Sequence, residues 1–139
     1  QPAFSDLFGN NKIESAADKP IFREAMEKHR CVIPASWYFE WQHLPSEDGR
    51  TTIKTKYAVQ PKGMDMMFLC GLYRIESSLP VFVILTREAS KDISHIHDRM
   101  PLILPKKAIR HWINHEVNPM GLLPFALTKL ASEKEDESA

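Results

Sequence analysis

The stretch Ile96-His97-Asp98-Arg99-Met100-Pro101 lies between two apolar runs. Pro80-Val81-Phe82-Val83-Ile84-Leu85-Thr86 precedes it, and Leu102-Ile103-Leu104, closed by Pro105, follows. The first run reads as a fully buried strand and the second as a short strand. Three ionisable residues in a row between core segments are costly to bury unless they are paired. They mark either a structural Asp98–Arg99 ion pair beside a core histidine, or a site at the mouth of a rigid core. Outward from these runs, strands are expected at 31–34, 37–42, 56–59 and 66–73, with a last one near 123–127. Pro20 is a good first helical residue, and Ile21, Phe22, Ala25 and Met26 form one apolar stripe over the two turns that follow. A second helix starts at Pro105 and runs to Trp112 or Ile113, and residues 87–95 are helical or irregular. The expected fold is therefore a β-rich α+β domain, a curled sheet or open barrel with two or three short flanking helices.

The chain's 139 residues, 43% hydrophobic and 26% charged, suit one packed core and exclude a disordered or fibrous class. We expect a single domain over residues 1–130 and an acidic, disordered tail over 131–139. No apolar run has the length of a membrane span. Gln1-Pro2-Ala3-Phe4 lacks the basic and apolar regions of a signal peptide, and also an initiator methionine, as a sequence beginning inside a longer protein would. Cys31 and Cys70 each fall in an apolar stretch, the pattern of buried structural thiols in a reducing compartment. Formal net charge is zero; residues 131–139 hold four acids and one base, net −3, so the first 130 residues carry +3. That excess is weakly permissive of a polyanionic partner.

In the segment 37–41, strand alternation sets Trp37, Phe39 and Trp41 on one face and Tyr38 and Glu40 on the other. The large rings are expected to be the buried side, holding Glu40 on the opposite face. Glu40 and His97 are then the leading candidates for proton transfer, since a carboxylate and an imidazole at one cleft move protons near neutral pH. Lys12, Arg99 and the Thr86 hydroxyl could bind phosphate, and so could Asn10. Trp37 and Tyr38 could stack on bases. A metal reading gathers His95 and His97, two apart, with His111 and His115, four apart on the second helix.

Taken together, these stretches resemble the SRAP family, the SOS response-associated peptidases. Arg30-Cys31-Val32-Ile33-Pro34-Ala35-Ser36-Trp37-Tyr38-Phe39-Glu40-Trp41 is similar to that family's R-C-[LVI]-[IV]-P-A-x-G-[FY]-Y-E-W. Ile96-His97-Asp98-Arg99-Met100-Pro101 is similar to its I-H-x-R-M-P. Asn10-Asn11-Lys12-Ile13-Glu14-Ser15 with Lys19-Pro20 and Phe22-Arg23, Cys70-Gly71-Leu72-Tyr73, and Ile84-Leu85-Thr86-Arg87-Glu88-Ala89 complete five segments in family order. Lys12 stands where arginine is usual, and Trp37 where glycine is.

The resemblance implies an abasic-site sensor that crosslinks covalently to single-stranded DNA and removes its own initiator methionine. The cysteine thereby exposed forms a thiazolidine with the ring-opened sugar. The family's start, M-C-G-R, is expected outside this chain. Residue by residue, the resemblance makes Glu40, His97 and Asn10 catalytic, and Lys12, Thr86 and Arg99 contacts to the DNA backbone. No cofactor, metal or membrane is expected; the partner is single-stranded DNA containing abasic sites, and the protein is a monomer, cytoplasmic and nucleoid-associated. Two other readings stay open, a degenerate non-catalytic DNA-binding or scaffold module and a metal-dependent hydrolase.

Overall fold

The computed structural model describes residues 11–135. Among the described residues nine strands and two α-helices follow one another: α1 (Pro20–Lys28), β1 (Arg30–Ala35), β2 (Tyr38–Pro45), β3 (Thr52–Pro61), β4 (Met67–Glu76), β5 (Leu79–Ile84), β6 (Thr86–Glu88), β7 (Arg99–Pro101), β8 (Ile103–Leu104), α2 (Ile109–Ile113) and β9 (Leu130–Lys134). The strands form three antiparallel units. One is β1-β4-β5 with β8 also on β4, the second is β2-β3-β9, and the third is the ribbon β6-β7. The sheets are not closed, so the fold is β-rich α+β.

Strand β4 organises the interior because it is buried on both sides. Met67 and Leu69 point into a core with Val59, Ile93, Ile96, Met100, Ile103 and Leu130. Cys70 and Leu72, on the alternate face, join Phe22, Ala25, Met26, Leu85, Leu102, Leu104 and Trp112. Between them Gly71 pairs with Cys31 on one side and Ile84 on the other. A Cβ there would stand 2.7 Å from Ile33 Cδ1 and 2.9 Å from the Val83 carbonyl oxygen, so only glycine lets β1 and β5 approach this closely. A ring of backbone hydrogen bonds closes nearby. Cys70 N–H donates to Leu102, Leu102 N–H to Leu85, and Leu85 N–H to Cys70, each at 2.9 Å.

Helix α1, with Pro20 in its first turn, buries Phe22, Ala25 and Met26 of the expected stripe, while Ile21 is partly buried against the same core. Arg30 follows it, 6% exposed, donating to the carbonyls of Met26, Trp112 (2.5 Å), Asn114 (2.5 Å) and Val117 (2.9 Å).

Four expectations are corrected. The run 80–86 is not a fully buried strand. Among the described residues its β5 part pairs on one side only, leaving Leu79 and Phe82 exposed, and Leu85 is the deeply buried residue. The aromatic face of 37–41 points outward: Trp37, Phe39 and Trp41 are 52%, 44% and 40% exposed. Register explains this, because Tyr38 pairs with fully buried Val59 while Phe39 and Trp41 pair with Ala58 and Lys56 on the solvent side. The segment 123–127 is no strand; Pro119–Phe125 is a 3-10 helix, containing Pro124, which cannot donate to a ladder. The acidic segment opens as strand β9, paired with β3 and anchored by buried Leu130; residues 136–139 lie outside the described residues. Among the described residues, no helix is long and apolar enough to cross a membrane.

Candidate active site

The outward turn of the rings puts the other face of β2 against the interior. Tyr38 packs against the second core, and Gln42 Nε2 donates to the His95 carbonyl at 2.9 Å. Glu40, between them, borders a cavity of about 220 Å³ whose other lining residues are Asn11, Thr86, His97, Arg99, Met100 and Pro101. Glu40 and His97 therefore share one cavity. They come from separate elements, Glu40 from β2 and His97 from the turns after β6.

Those turns are built by local bonds. The amides of Ile93 and Ser94 donate to Ser90, and those of Ile96 and His97 to Ile93, while Ile93 and Ile96 are buried as anchors. His97 is thereby left at the rim. Its Nδ1 accepts the Arg99 amide at 3.0 Å, so the neutral ring carries its proton on Nε2 and is a donor there. The Asp98 carboxylate also lies 3.3 Å from Nδ1. A nitrogen that accepts an amide has no proton to give Asp98, so the amide contact sets the tautomer. Glu40 Oε1 accepts from the Trp41 amide at 3.1 Å, which fixes one carboxylate oxygen. Burial, with the Glu40 charge adding to it, pushes the Tyr38 phenol above its ordinary range. The Tyr38 hydroxyl is buried without a hydrogen-bond partner among the described residues.

The opposite wall is held by backbone. Thr86 N–H donates to Asn11 and Ile13 N–H to Thr86, both at 2.9 Å, and Thr86 pairs with Pro101 across β6-β7. Asn11 Nδ2 donates to the Ile84 carbonyl, where the chain leaves β5. Arg99 is not paired with Asp98, so of the two readings of this stretch the structural Asp98–Arg99 ion pair is not formed. Its Nη1 and Nη2 meet Glu14 Oε2 and Oε1 at 2.7 and 2.9 Å, a bidentate pair. Nη2 also donates to the Thr86 carbonyl (2.9 Å), and Nε to Thr86 Oγ1 (3.3 Å). The guanidinium hydrogen-bonded to it holds the Glu14 carboxyl below the usual carboxylate range.

Among the other candidates, Lys12 is exposed beside this wall, bridging to Thr86 through its backbone. Trp37 lies on the outer face of the β2-β3-β9 sheet, at a separate cavity with Ala58, Gln60 and Glu133. Tyr38 is on the inner face and largely covered, so it offers no open ring for a base. Asn10 lies outside the described residues. Cys31 and Cys70 are free, and burial raises both thiols. Helix α2 ends at Ile113, so His115 is beyond it and shares no helical face with His111. Among the described residues no three His, Cys, Asp or Glu side chains gather as metal ligands would. Sequence reasoning missed Glu14 as a site residue: it lies in a family-like segment, but its partner Arg99 is 85 positions away.

The family model described as SOS response associated peptidase (SRAP) matches residues 2–136. The abasic site processing protein YobE of Bacillus subtilis is 33% identical over 110 residues, covering 76% of this chain and 48% of that protein. YedK of Escherichia coli, also an abasic site processing protein, is 25% identical over 113 residues, covering 78% of this chain and 48% of the relative. A crystal structure of a protein from Bacteroides thetaiotaomicron superposes with a TM-score of 0.75 at 23% identity, covering 90% of this chain and 57% of the other. This chain thus spans about half the length of the curated relatives it matches. It belongs to the SRAP family.

Proposed function

We propose that this chain carries the proton-handling and DNA-contacting part of an abasic-site processing protein acting on single-stranded DNA. The reading is supported by the shared cavity of Glu40 and His97, flanked by Thr86 and Arg99, and by relatives named as abasic site processing proteins. An abasic sugar in its open form presents an aldehyde. An aminothiol condenses with that aldehyde, its nitrogen and sulfur both bonding to the former carbonyl carbon, and one water leaves. Glu40 accepts the proton that the attacking ammonium must lose. His97, a donor through Nε2, protonates the departing sugar or carbonyl oxygen. Thr86 Oγ1 accepts from Arg99 and keeps its own hydrogen to give to a backbone phosphate. A bare sugar has no base to unstack, so admitting it to a small cavity costs little. The same pair serves removal of an initiator methionine, in which a proton must reach the leaving amine.

A second reading, a non-catalytic DNA-binding scaffold, draws on the cavity lining, which among the described residues includes no thiol or amine. One experiment separates the two. The full-length protein, carrying a free N-terminal cysteine, is incubated with a single-stranded oligonucleotide holding one abasic site, and heat-stable adduct is measured on a denaturing gel. We expect an adduct, formed about a hundredfold more slowly by Glu40→Gln and by His97→Ala, with binding to undamaged strand retained. Binding without adduct would establish the scaffold; an adduct formed at unchanged rate by both variants would remove Glu40 and His97 from the chemistry.

A further inference from the structure

The Arg99 fork is nearly saturated before any ligand arrives. An arginine has five N–H donors. Both nitrogens of its terminal fork face Glu14, Nη2 also reaches the Thr86 carbonyl, and Nε reaches the Thr86 hydroxyl. The carboxylate of Glu14 occupies the planar, two-oxygen position that a phosphate takes on a guanidinium. The Arg99 side chain is 19% exposed and that of Glu14 53%, so the carboxylate is the movable partner. Glu14 is also tethered at the right place: Ile13 is buried, its amide bonded to Thr86.

We propose that Glu14 is a positioning residue for phosphate recognition. It holds the Arg99 fork in one orientation at the mouth of the Glu40–His97 cavity and is exchanged for a backbone phosphate of the single strand. The inference rests on the DNA-binding reading above. Before DNA arrives the pair is neutral, and Lys12 is the nearby charge that first attracts the strand. When phosphate arrives, the Glu14 carboxylate swings into solvent and the guanidinium keeps its bonds to Thr86. The exchange weakens non-specific binding, and it keeps the fork aimed where a phosphate beside the cavity must sit.

The test uses a fluorescent undamaged single-stranded oligonucleotide, with affinity measured by anisotropy from low to high salt. Glu14→Gln is expected to bind several-fold tighter at low salt. Its plot of log affinity against log salt should keep nearly the wild-type slope, since Arg99 pairs one phosphate in both proteins and the gain comes from losing the competing carboxylate. The gain should vanish when Glu14→Gln is combined with Arg99→Ala, which a merely structural Glu14 would not produce. Glu14→Asp, which keeps the competing charge, should bind close to the wild-type affinity and serves as the folding control. Wild-type binding with no tighter binding by Glu14→Gln would overturn this inference and leave the DNA reading standing. No salt-dependent binding by the wild type would overturn both.

Discussion

Two arginines in this chain show how the partner of a charge decides its use. Arg30 lies beneath α1 and α2 and gives its donors to four backbone carbonyls, with the Trp112 ring 5.6 Å from its guanidinium carbon. Burial pushes its pKa down, yet an arginine stays charged in a protein. Its partners belong to the end of α1 and to the segment around and after α2, so the cation stitches distant stretches together. Arg99 instead faces a carboxylate at the rim of a cavity. Carbonyls fixed in the chain cannot leave without unfolding it, whereas a surface carboxylate can be exchanged. The first arrangement is a rivet and the second a latch.

The largest effect that would test this contrast is on stability. Arg30→Ala strands several buried carbonyls and should cost about 3 kcal/mol or more in a denaturant titration. Arg30→Lys should recover less than half, since an ammonium cannot span four acceptors. Next comes Arg99→Ala, whose stability cost should stay below about 1 kcal/mol, while its single-strand binding weakens and its salt slope falls by about 0.7. A stability loss equal to that of Arg30→Ala would erase the distinction. The smallest effect is on acid tolerance. The Glu14 carboxyl is held below its ordinary value in the folded protein, so its pairing stabilises above that value and is lost as pH falls through the lowered one. Solvent screening limits the contribution to a few tenths of a kcal/mol or so. The denaturation midpoint should therefore drop slightly more between pH 6 and pH 3 in the wild type than in Arg99→Ala, and equal drops would show that the pair contributes nothing.

How far the fold was legible depended on what each pattern encodes. The stripe of α1 and the strands around Cys31, Tyr57 and Cys70 were readable because apolar spacing repeats the geometry of the element. The segment 37–41 was half legible. Alternation correctly grouped Trp37, Phe39 and Trp41, but a period says which residues share a face and not which face is inside. The missing information was in β3, where Lys54 and Lys56 alternate with Tyr57 and Val59, and only the register pairs those lysines with His43 and Trp41. Lys56 then sits 4.0 Å over the Phe39 ring, so the rings are partly covered by a cation and not by the core. The cavity was legible in two of its residues, Glu40 and His97, since each interrupts core sequence. Asn11 and Glu14 were not legible as lining and latch, because their partners, Ile84 and Arg99, lie more than seventy positions along the chain.

The ring of three amides joining Cys70, Leu85 and Leu102 has a mechanical consequence. It fastens the strand leaving β5 and the strand entering β8 to the middle of the molecule, immediately beside Thr86 and Pro101. One jaw of the cavity is therefore anchored to the fully buried centre of the frame. The other jaw, bearing Glu40, belongs to a different sheet and meets the histidine-bearing turns through the amide side chain of Gln42. Carboxylate and imidazole thus reach the cavity from separately anchored supports, and that amide is a strut that sets the span between them.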